Sequence, residues 1–268
     1  MRVTLVVPPW AYWVDPFRIQ PLYELGFATL INSRFSESDV EVDIADLRGT
    51  EHSERLGLIP ESDLYFYWMM KSGDHNDVRE VVGDVRKNYP KAKHAAGGTH
   101  VSITPVTQEV CSSVFDAIVV GPGEESLLQI IRDLKNVGLK GVYRTNYAEF
   151  QYGDYPWPRR HYLPEKAIVG TEDLFGRRHR NIRGTTTAFS RGCPFSCSFC
   201  VLNVPNSLQM RTPELMAEEI EYLKKEYGIQ GLSLRDEICI PLNKKVAVPF
   251  LETLGRANII WRGQTVVR

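Results

Sequence analysis

Short apolar runs alternate with amphipathic stretches along the first half of the chain. Arg2 to Val7 is apolar and reads as a strand closed by Pro8-Pro9. Pro21 to Phe35 then carries Leu22, Leu25, Phe27, Leu30 and Ile31 at helical spacing. The same rhythm predicts strands over Val40 to Ala45, Asp63 to Trp68, Lys93 to Ala96 and Ala117 to Val120. Helices are predicted between and after them, over Val78 to Tyr89, Thr107 to Val114 and Glu124 to Leu134. Strands that are apolar throughout and separated by helices imply a parallel sheet covered on both faces. Residues 1–136 are therefore expected to form a doubly wound α/β domain of the flavodoxin type.

From 137 to 183 the rhythm breaks. Tyr152 to Arg160 is rich in proline and aromatics, and Gly176 to Arg180 is a short basic run, read as a solvated turn. This stretch is expected to be a packed linker. Alternation resumes over 184–268, with strands at Thr185 to Phe189, Gly231 to Leu234 and Ile259 to Thr265. Helices fall at Thr212 to Tyr227, with Pro213 in its first turn, and at Lys244 to Leu254.

Composition narrows the class without naming it. Hydrophobic residues make up 43% and charged residues 24% of 268, which excludes disordered and collagen-like chains. A net charge of -1 argues against a partner that is a polyanion, so nucleic acid is not expected. Proline interrupts the longest apolar stretch, Val3 to Val14, and Arg2 is followed by no small-residue cleavage site. A cytoplasmic protein, neither membrane-spanning nor secreted, is the expectation.

The candidate chemistry lies in the cysteines. Cys111 and Cys239 stand alone, but Cys193, Cys197 and Cys200 fall together in Ser-Arg-Gly-Cys-Pro-Phe-Ser-Cys-Ser-Phe-Cys. Three thiolates beside a strand suit a metal centre left one ligand short. A [4Fe–4S] cluster takes four cysteines, so three leave one iron open to an exogenous ligand. Zinc with a histidine is an alternative, although the nearest upstream histidine is His179 and none lies downstream. A loop of buried structural thiols is the third reading.

With three residues between the first two cysteines and two between the next, the segment resembles the radical S-adenosylmethionine superfamily. Phe199 before the last cysteine and Gly192 and Pro194 around the first strengthen the likeness. The resemblance implies that Cys193, Cys197 and Cys200 hold three irons while S-adenosylmethionine chelates the fourth. Reductive cleavage then gives a 5′-deoxyadenosyl radical that abstracts hydrogen from substrate. It further implies a partial parallel (β/α) barrel, with Phe199 against adenine and Asp236 and Glu237 near the methionine moiety. A solvated strand-end turn is the competing reading of those two acids. Arg211-Thr-Pro-Glu resembles the segment opening the next helix, although Thr212 also suits a simple helix cap.

Residues 1–136 resemble the cobalamin-binding domain that precedes the radical core in many of these enzymes. The matching residues are Pro8 after the first strand, Gly97, Gly98, Thr99 and His100 after the fourth, and Gly121, Gly123 and Glu124 after the fifth. Such positions are where a doubly wound sheet binds ligand, and glycine there lets backbone approach a flat ring. A β-branched residue at Gly98 or Gly123 is expected to block that approach. No histidine has an aspartate two places before it, so a protein nitrogen below cobalt is not expected. Bulky Tyr67-Trp-Met-Met at the third strand's end weighs against a corrin there.

The resemblance thus implies a cobalamin-dependent radical enzyme, foremost a methyltransferase acting on an unactivated carbon, with no catalytic side chain assigned. Cyclisation or ring rearrangement is the alternative within the class. A truncated, non-catalytic cofactor-binding or interaction module is the alternative outside it. At roughly 30 residues per strand–helix–strand unit, Thr185 to Arg268 holds about half of the family's barrel. An open apolar edge at Ile259 to Thr265 is then expected, covered by self-association or a partner chain. The other expected partners are a small-molecule or peptide substrate and a reductant for the cluster.

Overall fold

A computed structural model of the chain describes residues 1–11, 13–170, 175, 179, 181–200 and 207–266. These fall into two compact units. Of the described residues, the first comprises Met1–Pro16, Tyr23–Phe150, Phe199 and Cys200, and the second Phe17–Leu22, those within Gln151–Ser198, and 207–266. The division cuts the cysteine segment between Ser198 and Phe199.

In the first unit, β1 (Arg2–Val7) is buried from Val3 on because both its faces are covered. It pairs in parallel with β2 (Glu41–Asp46) and β3 (Leu64–Trp68), Leu5 standing beside Ile44 and Phe66. Then come β4 (Lys93–Gly97), β5 (Ala117–Val120) and β6 (Val142–Arg144), giving one parallel sheet in the order β2-β1-β3-β4-β5-β6. The crossover elements are α1 (Leu22–Arg34), the short α2 (His52–Arg55), α3 (Asp74–Asn88), α4 (Thr99–Ser102), α5 (Pro105–Ser112) and α6 (Glu124–Asn136). Thr104 caps α5 with Pro105 in its first turn, and α6 buries Leu127, Leu128, Ile130 and Ile131. The strand reversal at β1 and β3 opens the crevice that such sheets use for ligands.

The sheet has one strand more than the pattern predicts. β6 is three residues long, and only Tyr143 is buried, its hydroxyl donating to Asp133 Oδ2 at 3.0 Å. So short an element carries no periodicity. β3 is aromatic on both faces. Tyr65 and Tyr67 stack on His94 with centroids 5.3 and 6.0 Å apart, while Phe66 and Trp68 pack with Phe27 of α1.

In the second unit, β7 (Gly184–Thr187), β10 (Gly231–Leu234) and β11 (Ile260–Arg262) form a parallel sheet in the order β11-β10-β7. The helices α7 (Pro213–Tyr227) and α8 (Lys244–Arg256) make the crossovers. Thr212 caps α7, its hydroxyl accepting from Leu215 N–H, and Gly228 ends it in the left-handed region at φ 61°. Met216, Ile220, Leu223, Leu232, Phe250 and Leu254 fill the core. An antiparallel hairpin of β8 (Ser190–Cys193) and β9 (Ser207–Met210) interrupts the parallel order.

The expected linker is largely part of this unit. Arg160, fully buried, donates to Glu219 Oε1 of α7 at 2.9 Å and to the Thr186 carbonyl at 3.2 Å. Of the basic run Gly176 to Arg180, only His179 is among the described residues, and it is exposed. Among the described residues no helix is long and apolar enough to cross a membrane.

Candidate active site

The strand expected over Thr185 to Phe189 ends early, at Thr187, and the chain re-enters as β8. Cys193 is therefore the last residue of a hairpin strand, paired with β9, rather than the first of a loop. Nothing in Ser190-Arg-Gly-Cys alternates, so the pattern could not reveal it. Cys193 is half-buried, Cys197 and Cys200 are exposed, and all three thiols are free. Three free thiolate donors in one short segment fit the iron cluster better than buried structural thiols. Phe199 between the last two is 87% exposed, and residues 201–206 lie outside the description.

Asp236 follows β10 and reaches across to this hairpin. Its Oδ1 accepts from the Phe189 N–H at 2.9 Å and the Ser190 hydroxyl at 2.5 Å. The side chain is buried, and burial pushes its carboxyl up to about 7 despite those hydrogen bonds. Its Oδ2 is buried with no hydrogen-bond partner. The solvated-turn reading of Asp236 is thus overturned: the carboxylate fixes the start of the strand that carries Cys193. Glu237 is half-buried, its carboxyl pushed up by burial and drawn down by Arg191 of the same hairpin.

Tyr152 braces the hairpin from outside the motif. Its N–H donates to Gln209 Oε1 at 2.7 Å and its hydroxyl to the Ala188 carbonyl at 3.0 Å, with the Arg191 and Arg211 guanidinium groups 5.4 and 4.5 Å from its ring. Gln20 is as distant in sequence. Its N–H donates to Thr186 Oγ1 at 3.1 Å and its Oε1 accepts from Thr185 Oγ1 and the Thr186 N–H of β7. The density of aromatics around Tyr152 was the only signal for the first, and none exists for Gln20.

At the strand ends of the first unit, Pro8 is buried, and the Leu47 and Gly49 N–H groups donate to the Val7 and Pro9 carbonyls. Gly97 and Gly123 leave room that this chain fills itself. A Cβ on either would stand 2.5 Å from the Trp68 ring, which Tyr23 and Phe27 flank at centroid distances of 5.4 and 5.0 Å. Gly98 (φ 101°) and Gly121 (φ 94°) adopt left-handed conformations, and a Cβ there would meet the carbonyls of Met69 and Thr145 at 2.3 Å. All four glycines are thus explained by the fold.

The remaining candidates sit nearby. Thr99 is half-buried with its hydroxyl 3.9 Å from Met70 Sδ, and Glu124 is buried at the first position of α6. His100 turns inward. It is 7% exposed, its Nδ1 3.0 Å from Ser72 Oγ and its Nε2 3.2 Å from His75 Nδ1. It is not a surface histidine.

This architecture has a counterpart among solved structures. The chain is similar over 98% of its length to 38% of the cobalamin-dependent S-adenosylmethionine radical enzyme OxsB, solved with aqua-cobalamin bound, with a TM-score of 0.69 at 17% identity. No family model matches. Among curated relatives, an uncharacterised methyltransferase of Pyrococcus horikoshii is 26% identical over 92% of this chain and 56% of its own length. An anaerobic magnesium-protoporphyrin IX monomethyl ester cyclase of Cereibacter sphaeroides is 27% identical over 62% of this chain and 28% of its own length. The chain is thus similar in fold to a cobalamin-dependent radical S-adenosylmethionine enzyme and in sequence to relatives named as a methyltransferase and a cyclase. It spans about half the length of the first of these relatives, and less of the others.

Proposed function

We propose that this chain carries the cluster-bearing part of a radical S-adenosylmethionine enzyme that transfers a methyl group to an unactivated carbon. The observation that carries the reading is the placement of Cys193, Cys197 and Cys200. They leave a hairpin strand just beyond the carboxyl end of β7, where sites on parallel strands form. Those three thiolates would hold a [4Fe–4S] cluster, which when bound and reduced supplies one electron for cleaving S-adenosylmethionine to a deoxyadenosyl radical. Asp236 keeps the strand in place through Phe189 and Ser190. Exposed Phe199 would offer a ring and backbone to adenine, and Glu237 feels the charge of Arg191 of the hairpin.

Methyl transfer rests on the methyltransferase relative, and cyclisation is the second reading because a cyclase is also a relative. Cobalamin enters this reading from the structural neighbour OxsB, solved with aqua-cobalamin bound. We read the six-stranded sheet over residues 1–150 as the cobalamin-type domain and the β7-β10-β11 sheet as the opening of the barrel.

Anaerobic reconstitution tests the core of the proposal. The protein should take up about four irons per chain. Cys197→Ala should lose most of them, and deoxyadenosine should form when the full-length enzyme meets S-adenosylmethionine and a reductant. Stoichiometric zinc with no iron uptake would sink the reading.

A further inference from the structure

Among the described residues, one cluster of metal-ligating side chains lies apart from the cysteine hairpin. His75 in the first turn of α3, His100 in α4 and Cys111 in α5 each place one ligand atom within 4.8 Å of the other two. His75 Nδ1 is 3.2 Å from His100 Nε2 and 4.0 Å from Cys111 Sγ. We propose that His75, His100 and Cys111 form a site for a single zinc-class divalent ion, its fourth position open to water or an exogenous ligand.

The geometry is close to what such an ion requires. With Zn–N near 2.0–2.1 Å and Zn–S near 2.3 Å, tetrahedral ligands sit about 3.3 Å apart for two nitrogens and about 3.6 Å for nitrogen and sulfur. The two separations from His75 Nδ1, 3.2 Å to His100 Nε2 and 4.0 Å to Cys111 Sγ, differ from these by less than half an ångström, and all three ligand atoms lie within 4.8 Å of one another. Two imidazoles and a thiolate suit zinc, and the absence of a carboxylate from the set argues against magnesium or calcium. Ser72 Oγ at 3.0 Å holds the second ring nitrogen of His100, which orients the first, as metal-bound histidines commonly require.

The electrostatics prepare the site. Burial holds both imidazoles below the usual histidine range, assisted at His75 by Arg79. Burial also raises the Cys111 thiol to about 11, so the thiol keeps its proton until a cation displaces it. The three residues come from separate helices, which is why no sequence spacing betrays them. This inference is independent of the radical reading.

Cobalt is the probe, in a full-length chain whose Cys193, Cys197 and Cys200 are replaced by alanine so that the hairpin cannot compete. One Co²⁺ per chain should bind with the visible bands of a tetrahedral ion and a near-ultraviolet thiolate-to-cobalt band. Cys111→Ser should remove the charge-transfer band. His75→Ala, at a half-buried position that tolerates truncation, should weaken binding at least about a hundredfold, and Ser72→Ala about tenfold. Circular dichroism of each variant separates lost binding from lost fold. No stoichiometric uptake, uptake without the thiolate band, or uptake unchanged in folded His75→Ala would overturn the site.

Discussion

Trp68 shows how one side chain alters a functional reading. It ends β3 with 5% exposure, and its Nε1 is buried without a hydrogen-bond partner. The indole occupies the room that Gly97 and Gly123 leave open. Trp68→Ala should therefore destabilise the first unit by about 3–5 kcal/mol, the usual result of emptying a large core site. The same truncation opens a slot for a planar ring. Hydroxocobalamin should then bind the variant more tightly than the wild type and restore part of the lost melting temperature. Equal cobalamin affinity in the two proteins, read from difference spectra, would show that the indole does not guard the entry. Gly123→Val acquires a different meaning as well: its clash with Trp68 damages the fold before any cofactor is involved.

At the scale of elements, β7 is the instructive case. Gly184-Thr-Thr-Thr has little apolar character, yet Thr185, Thr186 and Thr187 are fully buried. Burial is tolerated because each hydroxyl has a partner: Ile168 O and Gln20 for Thr185, Gln20 for Thr186, and Glu219 Oε1 at 2.7 Å for Thr187. Glu219 in turn is paired with Arg160, and neither side chain has any solvent exposure. Glu219→Ala leaves the Arg160 guanidinium buried without its carboxylate and should destabilise the second unit by about 3–5 kcal/mol. Chemical denaturation followed by Trp157 fluorescence, this residue lying beside Tyr222 of α7, reads that loss. A change below about 1 kcal/mol would show that water reaches the pair.

At the scale of the whole molecule, buried carboxyls should make stability depend on pH in an unusual direction. Burial raises Glu24 to about 8 and Asp236 to about 7, from ordinary values of 4.5 and 3.8. Each holds its proton to higher pH folded than unfolded. Their stabilising contributions are thus complete below those ordinary values and are lost as pH rises through about 7 and about 8. His94, held near 4 by burial, acts oppositely, and its contribution falls away as pH drops from 6.5 towards 4. Melting temperature should consequently decline from pH 6 to pH 9. Glu24→Gln and Asp236→Asn should each flatten that decline, and a wild-type profile already flat over the range would contradict the assignment.

The residue pattern alone was sufficient for the parallel core of the first unit, because strands buried on both faces must be apolar and must be separated by helices. It also carried the proposal for the cysteines, since the spacing of Cys193, Cys197 and Cys200 is a local property of the chain. What it could not contain was anything decided by residues meeting from afar. β6 and the β8–β9 hairpin are too short or too irregular for periodicity, and β7 is polar because Gln20, Arg160 and Glu219 arrive to satisfy it. Glycine after a strand looks the same in sequence whatever packs beside it, and only the structure sets the Trp68 indole against Gly97 and Gly123. His75, His100 and Cys111 are brought together by three helices over the same sheet, a proximity that belongs to the tertiary structure because no short stretch of chain encodes it.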